Sequence, residues 1–159
     1  MPYHKHVFDS EKKEFVGDFE KMYANEDAEG YDPWHSSTLT LLSKLIHSQI
    51  LNSYNFNRIL DFGCGKGAFT HLLKKRNNYV LGLDISSTAI EKARSMYGND
   101  VDFSVIKDND FKPFIDKKVD CTICLEILSY IDHWQKVLAD ISTFTEYIYI
   151  YHFISLPTQ

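Results

Sequence analysis

Leu60-Asp61-Phe62-Gly63-Cys64-Gly65-Lys66-Gly67 is the stretch that decides the fold. It follows an apolar run, residues 57–62 (NRILDF), that reads as a short buried strand, and it opens GAFTHLLKKR, 67–76, which reads as a helix. A glycine loop has mechanical meaning in this strand–turn–helix setting. The glycines permit a tight turn and close approach of a ligand to the backbone. The helix start aims free N–H groups at that ligand. The spacing is GxGxG, on Gly63, Gly65 and Gly67, rather than the GxGxxG of dinucleotide folds. Asp61, just ahead of it, would repel a pyrophosphate. No GK[ST] follows, so a Walker phosphate loop is excluded.

Outward from this loop the pattern repeats. YVLGLDI (79–85), VDFSVI (101–106), VDCTICLEI (119–127) and EYIYIYHFISL (146–156) read as strands. Ser86 or Ser87 caps a helix to about Tyr97, with Thr88 and Glu91 at capping-box spacing. A second helix fits 132–143, with Trp134, Val137, Leu138 and Ile141 on one face. Alternation of this kind predicts an α/β domain with a parallel sheet covered by helices. Near-continuous apolar strands agree, because parallel strands are buried on both faces.

The N-terminal third differs. A charged helical segment is expected over 9–24, a turn-like stretch over 25–34 (NEDAEGYDPW), and a helix over about 36–51. That helix is expected to carry Leu39, Leu42, Leu45, Ile46 and Ile50 toward the sheet. The chain reads as one domain, with residues 1–56 a helical cover and 57–159 the α/β core. Its 159 residues allow a real core, and 44% hydrophobic and 25% charged residues are ordinary globular values. The net charge of −5 argues against nucleic acid, whose phosphates call for a basic surplus. Lys74, Lys75 and Arg76, the densest basic cluster, suit the C-terminal end of the helix they are expected to close. No apolar leader and no run of 18 apolar residues is visible, and three cysteines (Cys64, Cys121, Cys124) read as free thiols of a cytoplasmic protein.

Residues 58–73, RILDFGCGKGAFTHLL, resemble motif I of the class I methyltransferases that use S-adenosylmethionine (SAM). The resemblance implies a Rossmann-like sheet of order 3-2-1-4-5 and a SAM site built from Asp61, Gly63, Cys64, Gly65 and Gly67. Asp61 would favour the ammonium or sulfonium region. Gly82-Leu83-Asp84 matches the family's strand end, where an acid holds both ribose hydroxyls, as two carboxylate oxygens do well. Ile85 follows it. Asp108 or Asn109, with Asp110 in an alternative register, would meet the adenine amino group. Leu125 and Glu126 open a segment, 125–130, similar to one that small-molecule methyltransferases carry beside the methyl donor. Tyr31-Asp32-Pro33-Trp34 is similar to a segment of the nodulation N-methyltransferases, which act on an amino sugar. Tyr3, Tyr31 and Trp34 would then line a cover over the cofactor, with cation–π attraction to its sulfonium.

The acceptor side is less defined. His133 and His152, which titrate near neutrality, and Glu126 are the candidate catalytic groups. The CxxC at Cys121–Cys124 lies on a strand, where positions three apart face opposite sides, so no metal is expected. A full class I domain has seven strands, the last two an antiparallel hairpin. The sequence reads as ending after five, with strands 6 and 7 absent and an apolar edge, YIYIYHFI, left for a homodimer, for the N-terminal cover, or for the rest of a longer chain. The expected function is methylation of a small molecule, with a sugar or saccharide intermediate as the candidate acceptor. The alternatives are an inactive SAM-binding module, or a fragment serving as a partner subunit, and a nicotinamide-dependent reductase.

Overall fold

In the computed structural model, residues 5–30, 32 and 38–152 are described. The apolar runs become five strands: β3 (Arg58–Phe62), β4 (Tyr79–Asp84), β5 (Asp102–Val105), β6 (Val119–Leu125) and β7 (Thr145–Tyr151). They form one all-parallel sheet in the order β5-β4-β3-β6-β7. Their side chains alternate between two cores. Ile59, Val80, Cys121 and Ile123 pack on one face, under α3 (Ala68–Leu72) and α4 (Ser87–Tyr97). Leu60, Leu81 and Cys124 pack on the other, under α5 (Trp134–Ser142). Each fully buried aliphatic side chain stabilises by roughly 1.5–3 kcal/mol.

The expected five-strand chain without strands 6 and 7 is corrected. The described residues hold seven strands, and β6 and β7 are both present as parallel members that fill one flank of the sheet. The count rises because the N-terminal segment contributes β1 (Phe8–Asp9) and β2 (Glu14–Phe15), an antiparallel hairpin where a helix was expected. Two-residue strands leave no periodic signal. The helix comes later, as α1 (Phe19–Glu29), and runs through part of the stretch read as a turn. Asp18 caps its start by accepting from Lys21 N–H at 3.0 Å, and Gly30 ends it in the left-handed region.

A second correction concerns α2 (Leu42–Asn52), which lies inside out relative to its hydrophobic pattern. Leu42 is 70% exposed, and Leu45, Ile46 and Ile50 also face solvent. Lys44, His47 and Ser48 are buried instead, beside Leu51. They are tolerated there because each finds a partner, respectively Thr38 O, Tyr149 Oη and Leu45 O.

Other element ends shift for local reasons. α3 stops at Leu72, so Lys74, Lys75 and Arg76 lie beyond it. Lys74 donates to Asn78 O, and Lys75 to Asn52 O and Tyr54 O. β6 ends at Leu125 because Glu126 turns to φ 54°. Ser86 is the cap of α4, accepting from Ala89 N–H at 3.1 Å.

Candidate active site

β3, β4, β5 and β6 all end at one rim of the sheet, and the turns leaving them carry the candidate residues. The loop after β3 needs its glycines. Gly63, Gly65 and Gly67 have φ of 81°, 55° and 80°, a region that side chains disfavour. A Cβ on Gly67 would also lie 2.6 Å from Phe103 Cζ. The loop is moored to β4 by its amides. Gly63 and Cys64 N–H donate to Leu83 O at 2.8 and 3.0 Å, and Gly65 N–H donates to Asp84 Oδ2 at 2.8 Å. The other Asp84 oxygen accepts from Ser86 N–H at 2.9 Å. Burial pushes the Asp84 carboxyl up despite these bonds.

Asp61 is buried one residue before the end of β3. Burial raises its carboxyl to about 6, against a hydrogen bond that Thr70 Oγ1 donates at 2.6 Å. The buried Lys44 ammonium acts on it electrostatically, and burial pulls Lys44 below its ordinary range. The Cys64 thiol is pushed far up by burial, with Asp84 and Asp61 adding to the effect. Cys121 and Cys124, pushed up to about 12 by burial, sit in opposite cores. Thiols held protonated in this way are poor nucleophiles and poor metal ligands.

Around the rim, Ile85 stands 52% exposed directly after Asp84. Asp108 and Asn109 form a turn after β5, both in the left-handed region at φ 51° and 54°, which Asp and Asn tolerate. Leu125 is half-buried and Glu126 exposed. The next residue, Ile127, closes against the glycine loop: a Cβ on Gly63 would meet its Cγ1 at 2.8 Å. Asp61, the glycine loop, Asp84, Ile85 and Glu126 are thus brought to one rim. His133 stands exposed at the N-terminal cap of α5, and His152 exposed just past β7. Tyr3, Tyr31 and Trp34 lie outside the described residues.

Several site residues gave no local sequence signal. Lys66, inside the glycine loop, is buried and pairs with Glu26 of α1 at 2.9 Å and with Asp32 at 2.7 Å. Lys92 of α4 meets Glu26 and Asp27 at 2.8 Å each. Glu20 of α1 reaches the start of α4, accepting from the Ser86, Ser87 and Thr88 hydroxyls and the Thr88 amide. Those bonds bring its carboxyl down to about 2, against partial desolvation. α1 is therefore clasped to both the glycine loop and α4.

A parallel sheet with a glycine loop after its central strand, an acid ending the next and an apolar residue beside it defines the Rossmann-like class of α/β fold. Residues 60–146, more than half of the chain, match the methyltransferase domain family, and the chain belongs to it. Nodulation protein S of Azorhizobium caulinodans is 25% identical over 120 residues, covering 74% of this chain and 58% of that protein. Ubiquinone biosynthesis O-methyltransferase of Pasteurella multocida is 27% identical over 135 residues, covering 76% of this chain and 55% of that protein. The chain thus spans little more than half the length of these two relatives. Among solved structures, the N-terminal domain of EvdMO1 with S-adenosylhomocysteine (SAH) bound shares the fold, with a TM-score of 0.64 and 17% identity, over 82% of this chain and 64% of that one. No helix among the described residues is long and apolar enough to cross a membrane.

Proposed function

We propose that this chain binds SAM and transfers its methyl group in line to a small-molecule acceptor. The observation that carries the reading is the moored glycine loop, with Gly65 N–H on Asp84 Oδ2 at 2.8 Å. Asp84 retains lone pairs for a ribose diol after accepting two amides. The exposed Ile85 offers an apolar wall for an adenine ring, Leu125 stands at the end of β6 on the same rim, and Asp108 or Asn109 offers the polar group for its amino function. Gly63, Cys64, Gly65 and Gly67 bring backbone close to the ligand, and Asp61 with Lys44 provides opposite charges for the amino-acid end. Tyr31 and Trp34 are assigned to the cover on sequence similarity alone. The cofactor supplies a methyl group on a positively charged sulfur; the chain's own contribution is to hold the acceptor in line and exclude water.

Residues 1–56 act as the cover, and α1, clasped through Lys66, Lys92 and Glu20, supports that role. Glu126, His133 and His152 stand on the acceptor side and are the groups for orienting the acceptor or taking its proton. Relatives named as O-methyltransferases and as nodulation protein S, and a solved structure of the EvdMO1 N-terminal domain with SAH and D-fucose, support a small molecule, with a saccharide as the finer assignment. The net charge of −5 disfavours nucleic acid as the acceptor. Three free thiols suit a cytoplasmic setting. The β7 edge, with Tyr147 and Ile150 exposed, is assigned to pairing in a homodimer.

Calorimetric titration with SAM and SAH tests the reading. Micromolar binding that is lost in Asp84→Ala is expected. Absence of binding to the intact chain overturns it.

A further inference from the structure

α2 buries its polar face and exposes its apolar one. Burying Lys44 and His47 costs desolvation, and the leucines turned outward recover nothing, so packing alone does not explain the orientation. The buried face points at the rim described above, with Lys44 acting on Asp61 and His47, three residues further on, seated against the end of β7.

His47 is held from two sides. Its Nδ1 lies 2.7 Å from Tyr149 Oη, and its ring centroid lies 4.2 Å from that of Tyr151. Tyr149 and Tyr151 are two residues apart on β7 and so share a face. Tyr151 O in turn accepts from Glu126 N–H at 2.8 Å. His47 therefore stands beside the same turn that closes against Gly63 through Ile127.

We infer that His47, oriented by Tyr149, is the base that takes the proton from a hydroxyl acceptor, which makes this an O-methylating site. The inference rests on the SAM-dependent reading above. In this role Nδ1–H would donate to Tyr149 Oη, 2.7 Å away, leaving the Nε2 lone pair available; Nε2 has no hydrogen bond among the described residues. Nucleophile activation follows the usual order, in which a base is itself oriented by a third group. The acceptor O–H bond breaks with its proton on Nε2 and its electron pair on oxygen. That pair forms the new O–CH₃ bond, and the pair of the broken S–CH₃ bond returns to sulfur, leaving a neutral thioether. The imidazolium then loses its proton to solvent.

Burial holds His47 below the ordinary histidine range, partly offset by Glu126. Tyr149 and Tyr151 face it from β7, Glu126 from the turn after β6, and Lys44 precedes it on α2. It is therefore neutral at neutral pH, as a base must be. His133 and His152, both exposed, have no such orienting partner among the described residues.

The test is the tautomer of His47 in the intact chain. Two-bond ¹H–¹⁵N spectra of the histidine-labelled protein at about pH 8, above the ordinary histidine range, resolve the rings, and His47→Gln assigns its signal among the seven. The expected result is Nδ1–H in the intact chain, reverting to Nε2–H in Tyr149→Phe. Nε2–H in the intact chain, or a tautomer indifferent to Tyr149→Phe, overturns the base. SAH calorimetry on the same sample separates the two readings: binding with the wrong tautomer removes only the base, and no binding removes both.

Discussion

The Gly65 amide donates to the Asp84 carboxylate at 2.8 Å, across 19 residues of chain, so the first loop of the site is fixed by the acid that ends the second strand. Asp84 thus both shapes the loop and meets the ligand. Asp84→Asn keeps the shape but loses the charge, and its amide NH₂ cannot accept. A hydrogen bond to a charged group is worth about 1.5–3 kcal/mol, so SAH affinity is expected to fall about 10–100-fold. Urea denaturation should show a loss of about 1–2 kcal/mol, because one of the two amides held by Asp84, that of Gly65 or of Ser86, then meets an NH₂ and loses its acceptor. Unchanged stability with weakened binding would mean that the loop holds its shape without Asp84.

Asp61 makes stability depend on pH in the direction opposite to most carboxylates. Its folded value of about 6 lies above the ordinary 3.8 because burial disfavours the charge. Between those values the folded state holds a proton that the unfolded state has released. Its contribution is therefore fully present below about pH 3.8 and is lost as pH rises through about 6. Glu20 works the other way: with a folded value near 2 against 4.5, its contribution is present above pH 4.5 and lost as pH falls toward 2. Urea midpoints of Asp61→Asn should lack the decline between about pH 4 and 6 seen in the intact chain. Those of Glu20→Gln should lack the decline below pH 4.5. Binding an ammonium group beside Asp61 favours its charged form, so SAH binding should release a proton below about pH 6.

Lys66 joins the glycine loop to α1 through Glu26, with both side chains almost wholly buried. Removing one partner strands a buried charge. Lys66→Met leaves Glu26 only Lys92 as a cation among the described residues, at 2.8 Å, and should cost about 2–4 kcal/mol in denaturation. The double change Lys66→Met with Glu26→Leu should recover most of that loss, because two apolar groups restore the packing without a charge. A double variant as unstable as the single one would show that the pair's charge, not its burial, holds α1.

The parts of the fold that were legible are those whose signals are local. β3, its glycine loop and β4 could be read because apolar runs and GxGxG lie within 25 residues, from Ile59 to Leu83. α2 could not be oriented, because its leucines carry the amphipathic pattern while Lys44 and His47 are held inward by Thr38, by Tyr149 and by the charge of Asp61. Tertiary partners overrode periodicity there. The Lys66–Glu26 pair spans 40 residues and left no trace in either neighbourhood. The β1–β2 hairpin is too short to show period two. His47 gives no local signal for the same reason as α2: its partner Tyr149 lies 102 residues away.

Glu126 stores strain at the rim. A glutamate at φ 54° lacks the short side chain that lets Asp108 and Asn109 adopt this region, and such residues cost roughly 1–3 kcal/mol. Two contacts hold it there, its N–H on Tyr151 O at 2.8 Å and the seating of Ile127 against Gly63. Glycine removes the Cβ penalty while alanine keeps it. Glu126→Gly should therefore be about 1 kcal/mol more stable than Glu126→Ala, measured by urea denaturation with SAH absent. A glycine variant no more stable than alanine would place the strain elsewhere. Relief of strain should also loosen the turn that positions Ile127 on the glycine loop, so Glu126→Gly is expected to bind SAH more weakly than Glu126→Ala. Stability gained and binding lost in the same substitution would mark Glu126 as a residue kept for the site rather than for the fold.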